Sequence, residues 1–254
     1  MENDLLPDRK AGRFYGVGVG PGDPELITLK AHRLISNAST IAYISTRNSP
    51  SQARTIAANS INASASTPRD INIAMPMSTN RSLANAAYDK GAASIREALL
   101  QGEDVVFLCE GDPLFFGSFA YLLERLQDEF SCEVVPGISS INAAAAVLLE
   151  PLTMLCESFV VISGRHSEDH IRDSLQKHDT VVIMKAGLAR PRILALLKET
   201  GRLQDARYLE YISREQQQVL PDVSQLANEA GPYFSLFVIM RERTPANPGT
   251  GSKP

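Results

Sequence analysis

No apolar run in this 254-residue chain is long enough to cross a bilayer. The longest, 143–149, falls far short of the roughly 20 residues a spanning helix needs. The opening residues Met1-Glu2-Asn3-Asp4-Leu5-Leu6-Pro7-Asp8 carry neither a basic stretch nor a long hydrophobic core, so no signal peptide is expected. These absences predict a cytoplasmic protein without an anchor and with no membrane partner. Cysteine is scarce. Cys109, Cys132 and Cys156 are odd in number, lack CxxC spacing and sit among apolar neighbours, which predicts reduced core thiols rather than bridges or zinc ligands. Basic blocks are missing too, and a net charge of -4 argues against nucleic acid as a partner. An anionic ligand would therefore need a focused cationic patch. His166 and His170 are spaced i, i+4 beside Asp169 and Asp173, but the order is not that of a zinc protease. An exposed helix start is expected there, and no protein-bound metal.

What is present is an alternation of short apolar runs with longer helical patterns, the signal of an α/β architecture. Strands are predicted at 14–19, 40–45, 71–74, 104–110, 132–136, 159–163, 180–184, 207–212 and 234–240. Helices are predicted at 24–37, 51–63, 80–101, 117–128, 139–149, 168–177, 190–200 and 222–228. The first five strands alternate with helices, which predicts a parallel sheet with buried, nearly continuous apolar strands such as Val105-Val106-Phe107-Leu108. The remaining strands would form a second sheet. The expected division is an N-terminal α/β domain over 12–138, a C-terminal α/β domain over 139–243 and a disordered tail over 244–254, rich in Pro, Gly, Ser and Thr.

Three clusters follow strands directly. Gly16-Val17-Gly18-Val19-Gly20-Pro21-Gly22-Asp23-Pro24-Glu25 lets backbone approach a ligand, but it fails the dinucleotide pattern G-x-G-x-x-G in either frame. Pro21 removes an N–H, and Asp23 and Glu25 put negative charge where a pyrophosphate would sit, so the loop suits a ligand without phosphates. It also reads as a plain turn, with Asp23 as N-cap and Pro24 opening a helix. Cys109-Glu110-Gly111-Asp112-Pro113-Leu114-Phe115-Phe116-Gly117 should share the same sheet edge, or be another turn capped by Asp112 with Pro113 opening the helix. In Val134-Val135-Pro136-Gly137-Ile138-Ser139-Ser140, a serine caps a helix or the small side chains leave room for a bulky ligand.

In this order and spacing, together with Val182-Ile183-Met184-Lys185 and Tyr233-Phe234-Ser235-Leu236-Phe237-Val238, the clusters resemble the tetrapyrrole methylase family over about 12–241. Within that family they are most similar to the branch that methylates C20 of precorrin-2, giving precorrin-3A in cobalamin biosynthesis. The resemblance implies two α/β domains with a ligand cleft between them, the first sheet parallel and the second mixed. It implies S-adenosyl-L-methionine as methyl donor, S-adenosyl-L-homocysteine as product, and a homodimer. The donor site it implies uses Pro21, Glu110, Gly111, Asp112, Phe115, Ser139 and Ser140, completed by Met184, Ile212, Ser235 and Leu236. The many carboxylates of precorrin-2 call for arginines and lysines near strand ends, for which Arg47, Arg54, Arg165, Lys185 and Arg214 are the candidates. No catalytic triad is expected, because a sulfonium donor carries its own leaving group. The competing readings are a sister enzyme with another regiochemistry or a cobalt-containing substrate, a non-catalytic tetrapyrrole- or nucleoside-binding protein, and a nicotinamide-dependent oxidoreductase.

Overall fold

The computed structural model describes residues 10–46, 49–76 and 80–242. The chain divides between Ala143 and Ala144 into two compact units.

The first unit alternates strand and helix: β1 (Phe14–Gly18), α1 (Leu29–Ser36), β2 (Thr40–Thr46), α2 (Gln52–Ile56), α3 (Ala58–Asn62), β3 (Arg69–Met75), α4 (Arg81–Leu100), β4 (Val105–Cys109), α5 (Phe119–Leu126) and β5 (Cys132–Val135). The division falls within α6 (Ser140–Leu148). The strands form one parallel sheet in the order β3-β2-β4-β1-β5. All five residues of β4 are buried, as expected of a central parallel strand covered on both faces. Successive side chains alternate between two cores. Val105, Phe107 and Cys109 join Phe14, Ile95 and Phe119, whereas Val106 and Leu108 join Val17, Ile35 and Ile41. The Phe119 ring lies 5.1 Å from Phe14 and 6.1 Å from Phe107, and it occupies the space that a Cβ at Gly16 would need, 2.5 Å from its ring carbon.

The second unit contains β6 (Phe159–Ser163), α7 (Glu168–Lys177), β7 (Thr180–Met184), α8 (Arg190–Glu199), β8 (Ala206–Glu210), β9 (Gln218–Leu220) and β10 (Ser235–Met240). Its sheet runs β6-β7-β10-β8-β9 and is mixed: β6 and β7 are parallel, and β10 is antiparallel to both β7 and β8. Ile171 and Leu175 of α7 and Ile193, Leu196 and Leu197 of α8 pack with Val181, Tyr208, Phe237 and Ile239 into one core.

A parallel and a mixed sheet were both expected; several local features were not. The helix expected at 24–37 is broken, because Asp23 caps only a 3-10 turn, Pro24–Leu26, and Ile27 is extended. Thr28 then caps α1 afresh, accepting from Ala31 N at 3.2 Å. The helix expected at 51–63 is divided at Ala57, and that at 222–228 reduces to the 3-10 turn Val223–Gln225. Strand β9 was not expected; its three mostly exposed residues are held by pairing with β8, not by apolar content. The cysteines are all free, but only Cys109 is fully a core thiol: Cys132 is half-buried and Cys156 exposed. Met154 and Leu155 beside Cys156 are exposed as well, so apolar neighbours in sequence did not guarantee burial. Among the described residues no helix is long and apolar enough to cross a membrane. The tail predicted over 244–254 lies outside the described residues.

Candidate functional site

In a parallel sheet every strand leaves at the same edge, so the loops after β1, β4 and β5 must emerge side by side. Here they are in van der Waals contact through glycines. A Cβ on Gly18 would lie 2.6 Å from both Gly111 O and Gly137 Cα; one on Gly137 would lie 2.0 Å from Gly111 O and 2.8 Å from Gly18 Cα. Past the strand ends Val19 N donates to Cys109 O at 2.8 Å, and Gly111 N donates to Gly20 O at 2.8 Å. Gly20 and Gly111 have φ of +80° and +64°, the left-handed region that glycine enters without strain.

Asp112 fastens this junction. Its Oδ1 accepts from Leu114 N at 2.9 Å and Phe115 N at 3.1 Å, while Oδ2 accepts from Gly137 N at 3.1 Å, tying the loop after β4 to the loop after β5. The alternative that Pro113 opens a helix does not hold: Asp112 closes a turn, and α5 begins only at Phe119. The plain-turn features are otherwise real. Asp23 Oδ1 accepts from Glu25 N at 2.8 Å, and Ser139 Oγ accepts from Ile141 N at 3.3 Å.

The residues assigned to the first unit therefore fall on one edge: Pro21 buried, Gly111, Asp112, Ser139 and Ser140 half-buried, Glu110 and Phe115 exposed. Leu114 and Phe116 are exposed beside Phe115, giving the edge an apolar surface. In the second unit Met184 ends β7 and sits opposite Leu236 in the register of β10; Ser235 sits opposite Glu210, and Ile212 lies just past β8. Ser235 Oγ donates to Pro232 O at 2.8 Å.

Sequence reasoning missed two features. First, Phe116, Lys185, Tyr211 and Ser213 have φ between +50° and +62°, all on loops that leave the sheets beside the assigned residues. Such strain is held only where the surroundings impose it, and it concentrates at functional sites. No residue type announces it. Second, Arg190 is buried in the first turn of α8, where its guanidinium donates to Glu229 O at 2.6 Å and Ala230 O at 3.3 Å and lies 3.5 Å from Glu210 Oε1. This buried pair anchors the segment that leads into β10. At a helix start such a residue reads from sequence as a solvated charge.

Of the cationic candidates, Arg47 lies outside the described residues. Arg54 sits in α2, 3.0 Å from Asp70, and lines a pocket of about 730 Å³ with Tyr43, Ser45, Asn72 and Ser49. Arg214 stacks on Phe234 at 3.9 Å. Arg165 is exposed; Lys185 is half-buried, and burial, reinforced by the charge of Arg165, disfavours protonation of its amine. His166 and His170 lie exposed around the start of α7. Among the described residues no group of three or more His, Cys, Asp or Glu is placed to hold a metal.

A family model described as Tetrapyrrole (Corrin/Porphyrin) Methylases matches residues 13–227. The chain is 34% identical over 233 residues to the cobalamin biosynthesis protein CobIJ of Mycobacterium tuberculosis, covering 90% of this chain and 46% of that protein. It thus spans about half the length of that relative. Over 90% of its length it is 30% identical to a precorrin-2 C(20)-methyltransferase from a Sinorhizobium species, 95% of which it covers. A cobalt-precorrin-2 C(20)-methyltransferase of Salmonella typhimurium is 28% identical, with 91% of this chain and 97% of that protein covered. Among solved structures, the uroporphyrin-III C-methyl transferase of Thermus thermophilus complexed with S-adenyl homocysteine superposes with a TM-score of 0.63 at 25% identity, covering 90% of this chain and 97% of that one.

The glycine junction makes a direct prediction. Gly137→Ala inserts a methyl group into contacts with two backbones that cannot swing aside, and should cost about 1–3 kcal/mol of stability or more. Urea unfolding followed by circular dichroism measures it, and an unchanged midpoint would contradict the packing described.

Proposed function

The chain belongs to the tetrapyrrole methylase family, and from that premise we propose that it transfers a methyl group from S-adenosyl-L-methionine to C20 of precorrin-2, giving precorrin-3A in cobalamin biosynthesis. The observation that carries the reading is the glycine junction of Gly18, Gly111 and Gly137, fastened by Asp112 at the carboxyl edge of a parallel sheet. Glycine there lets three loops close on one another and fixes the sheet edge at which a ligand would sit, and acidic residues at Asp23 and Glu25 suit a ligand without phosphates. That chemistry fits S-adenosylmethionine, and the Thermus relative holds its demethylated form.

When bound, the donor supplies a methyl group already activated on a sulfonium. The protein's task is placement, and holding reactants in line can contribute roughly 7–11 kcal/mol. Pro21, Glu110, Gly111, Asp112, Phe115, Ser139 and Ser140 bind the donor on the first unit, with Asp112 fixing the loop after β4 against the loop after β5. On the second unit the residues proposed for the donor are Met184, Ile212, Ser235 and Leu236. Arg54, Arg165, Lys185 and Arg214 are the residues that seat substrate carboxylates, and Arg47 joins them by sequence position. The C20 assignment is supported by the Sinorhizobium relative; the Salmonella relative supports a second reading, in which the substrate already contains cobalt. The protein works in the cytoplasm as a homodimer.

S-Adenosylhomocysteine should bind in the absence of any tetrapyrrole, and Asp112→Ala, which removes the charge-assisted bond to Gly137 N, should weaken that binding by about tenfold. Calorimetry that finds no saturable heat for the folded wild type removes the donor site. Turnover of precorrin-2 with a carbon-labelled donor should place one labelled methyl at C20 in the NMR spectrum of the product. A label at another ring carbon keeps the methyltransferase and replaces its regiochemistry, whereas turnover only of the cobalt-containing substrate establishes the second reading. Light scattering at micromolar concentration should give twice the chain mass; a monomer refutes the dimer.

A further inference from the structure

Where β6 and β7 leave the second sheet their backbones stay coupled, with Gly164 N donating to Met184 O at 2.7 Å. Arg165 and Lys185 therefore leave the same edge on adjacent chains. The loops are packed closely: a Cβ on Gly164 would lie 2.9 Å from Lys185 O and 3.2 Å from both Ala186 Cα and Ala189 Cβ. From the first turn of α8, Arg192 reaches back, and its guanidinium donates to the Gly164 carbonyl. Two arginines and Lys185 are thus gathered around one glycine.

Bringing the two guanidinium groups of Arg165 and Arg192 to one glycine is unfavourable unless something of opposite sign meets them. Other arginines of this unit have acidic partners: Arg172 pairs with Asp169 and Glu199, Arg190 with Glu210, and Arg202 with Asp205. Arg165 and Arg192 make no ion pair among the described residues, in a chain with 29 acidic residues. Beside them, in the loop between β7 and α8, Leu188 is 91% exposed. Cations next to an open apolar side chain match an organic anion whose carboxylates project from an apolar body. Lys185 is also held at φ +54° directly after Met184, so the group adjoins a residue assigned to the donor.

We propose that Arg165, Lys185 and Arg192 form a subsite for one carboxylate arm of the tetrapyrrole, with Leu188 against the apolar body of the ring system; this rests on the methyltransferase reading above. Arg165 brings an exposed guanidinium fork suited to bidentate contact. Arg192, already tethered to Gly164 O, loses less freedom on binding than an unrestrained side chain would. The subsite anchors the substrate on the second unit.

The test uses uroporphyrin III, a stable tetrapyrrole with eight carboxylates, as a fluorescent probe, with calorimetric titration of S-adenosylhomocysteine in parallel. Arg165→Ala and Arg192→Ala should each weaken porphyrin binding by about tenfold, the loss of one charge-assisted contact. The double variant should be weaker still and less sensitive to salt, while affinity for S-adenosylhomocysteine stays unchanged. If Arg192→Ala fails to fold, Arg165→Ala, whose side chain is exposed, carries the test alone. Unchanged porphyrin affinity in folded variants that still bind S-adenosylhomocysteine overturns the subsite and leaves the methyltransferase reading standing. A wild type that binds the product but no porphyrin also overturns the subsite, and one that binds neither overturns both.

Discussion

Everything proposed for the first unit depends on how closely three strand-exit loops approach one another at Gly18, Gly111 and Gly137. With a Cβ at 137 only 2.0 Å from the Gly111 carbonyl, no side chain fits without moving a strand. The contact is a backbone contact, so it is rigid in a way that side-chain packing is not. Asp112 adds direction to it by accepting from both its own turn and Gly137 N, which fixes the loop after β4 relative to the loop after β5. A transfer reaction that relies on placement benefits from such stiffness, because small errors of position are costly.

The second unit reaches similar order by different means. Its carboxyl-edge loops also close through glycine, at Gly164 and Gly187, but there Lys185, Tyr211 and Ser213 accept left-handed backbone as well. The buried Arg190–Glu210 pair holds the lead-in to β10 through the carbonyls of Glu229 and Ala230. A buried ion pair contributes less to stability than its Coulomb attraction suggests, since both charges must be dehydrated. Its value here is positional. Losing one member would leave the other charge stranded and the segment before Ser235 without its anchor.

The parts legible in the sequence were those governed by periodicity and by glycine. Buried strands such as β4 and β7 declare themselves as apolar runs, and the glycine clusters mark where the backbone must come close. Less legible were features in which a local signal competes with a distant one. Asp23 and Thr28 are both good caps, and the chain uses both, which breaks one expected helix into a 3-10 turn and α1. Strand β9 has little apolar content and exists because β8 offers it an edge. Cys156 has apolar neighbours but no core to enter.

By itself the sequence determined the α/β class, the family, and the strand-to-helix loops in which a ligand site would lie, because hydrophobic period and glycine placement are local properties. Only the tertiary structure decided that Asp112 bonds across to Gly137, that Arg190 is a buried anchor rather than a surface charge, and that Arg165, Lys185 and Arg192 meet around Gly164. The reason is distance along the chain. Residues 25 to 40 positions apart are brought together by sheet register and helix packing, and whether a charge or hydrogen-bonding group finds a partner depends on that assembly.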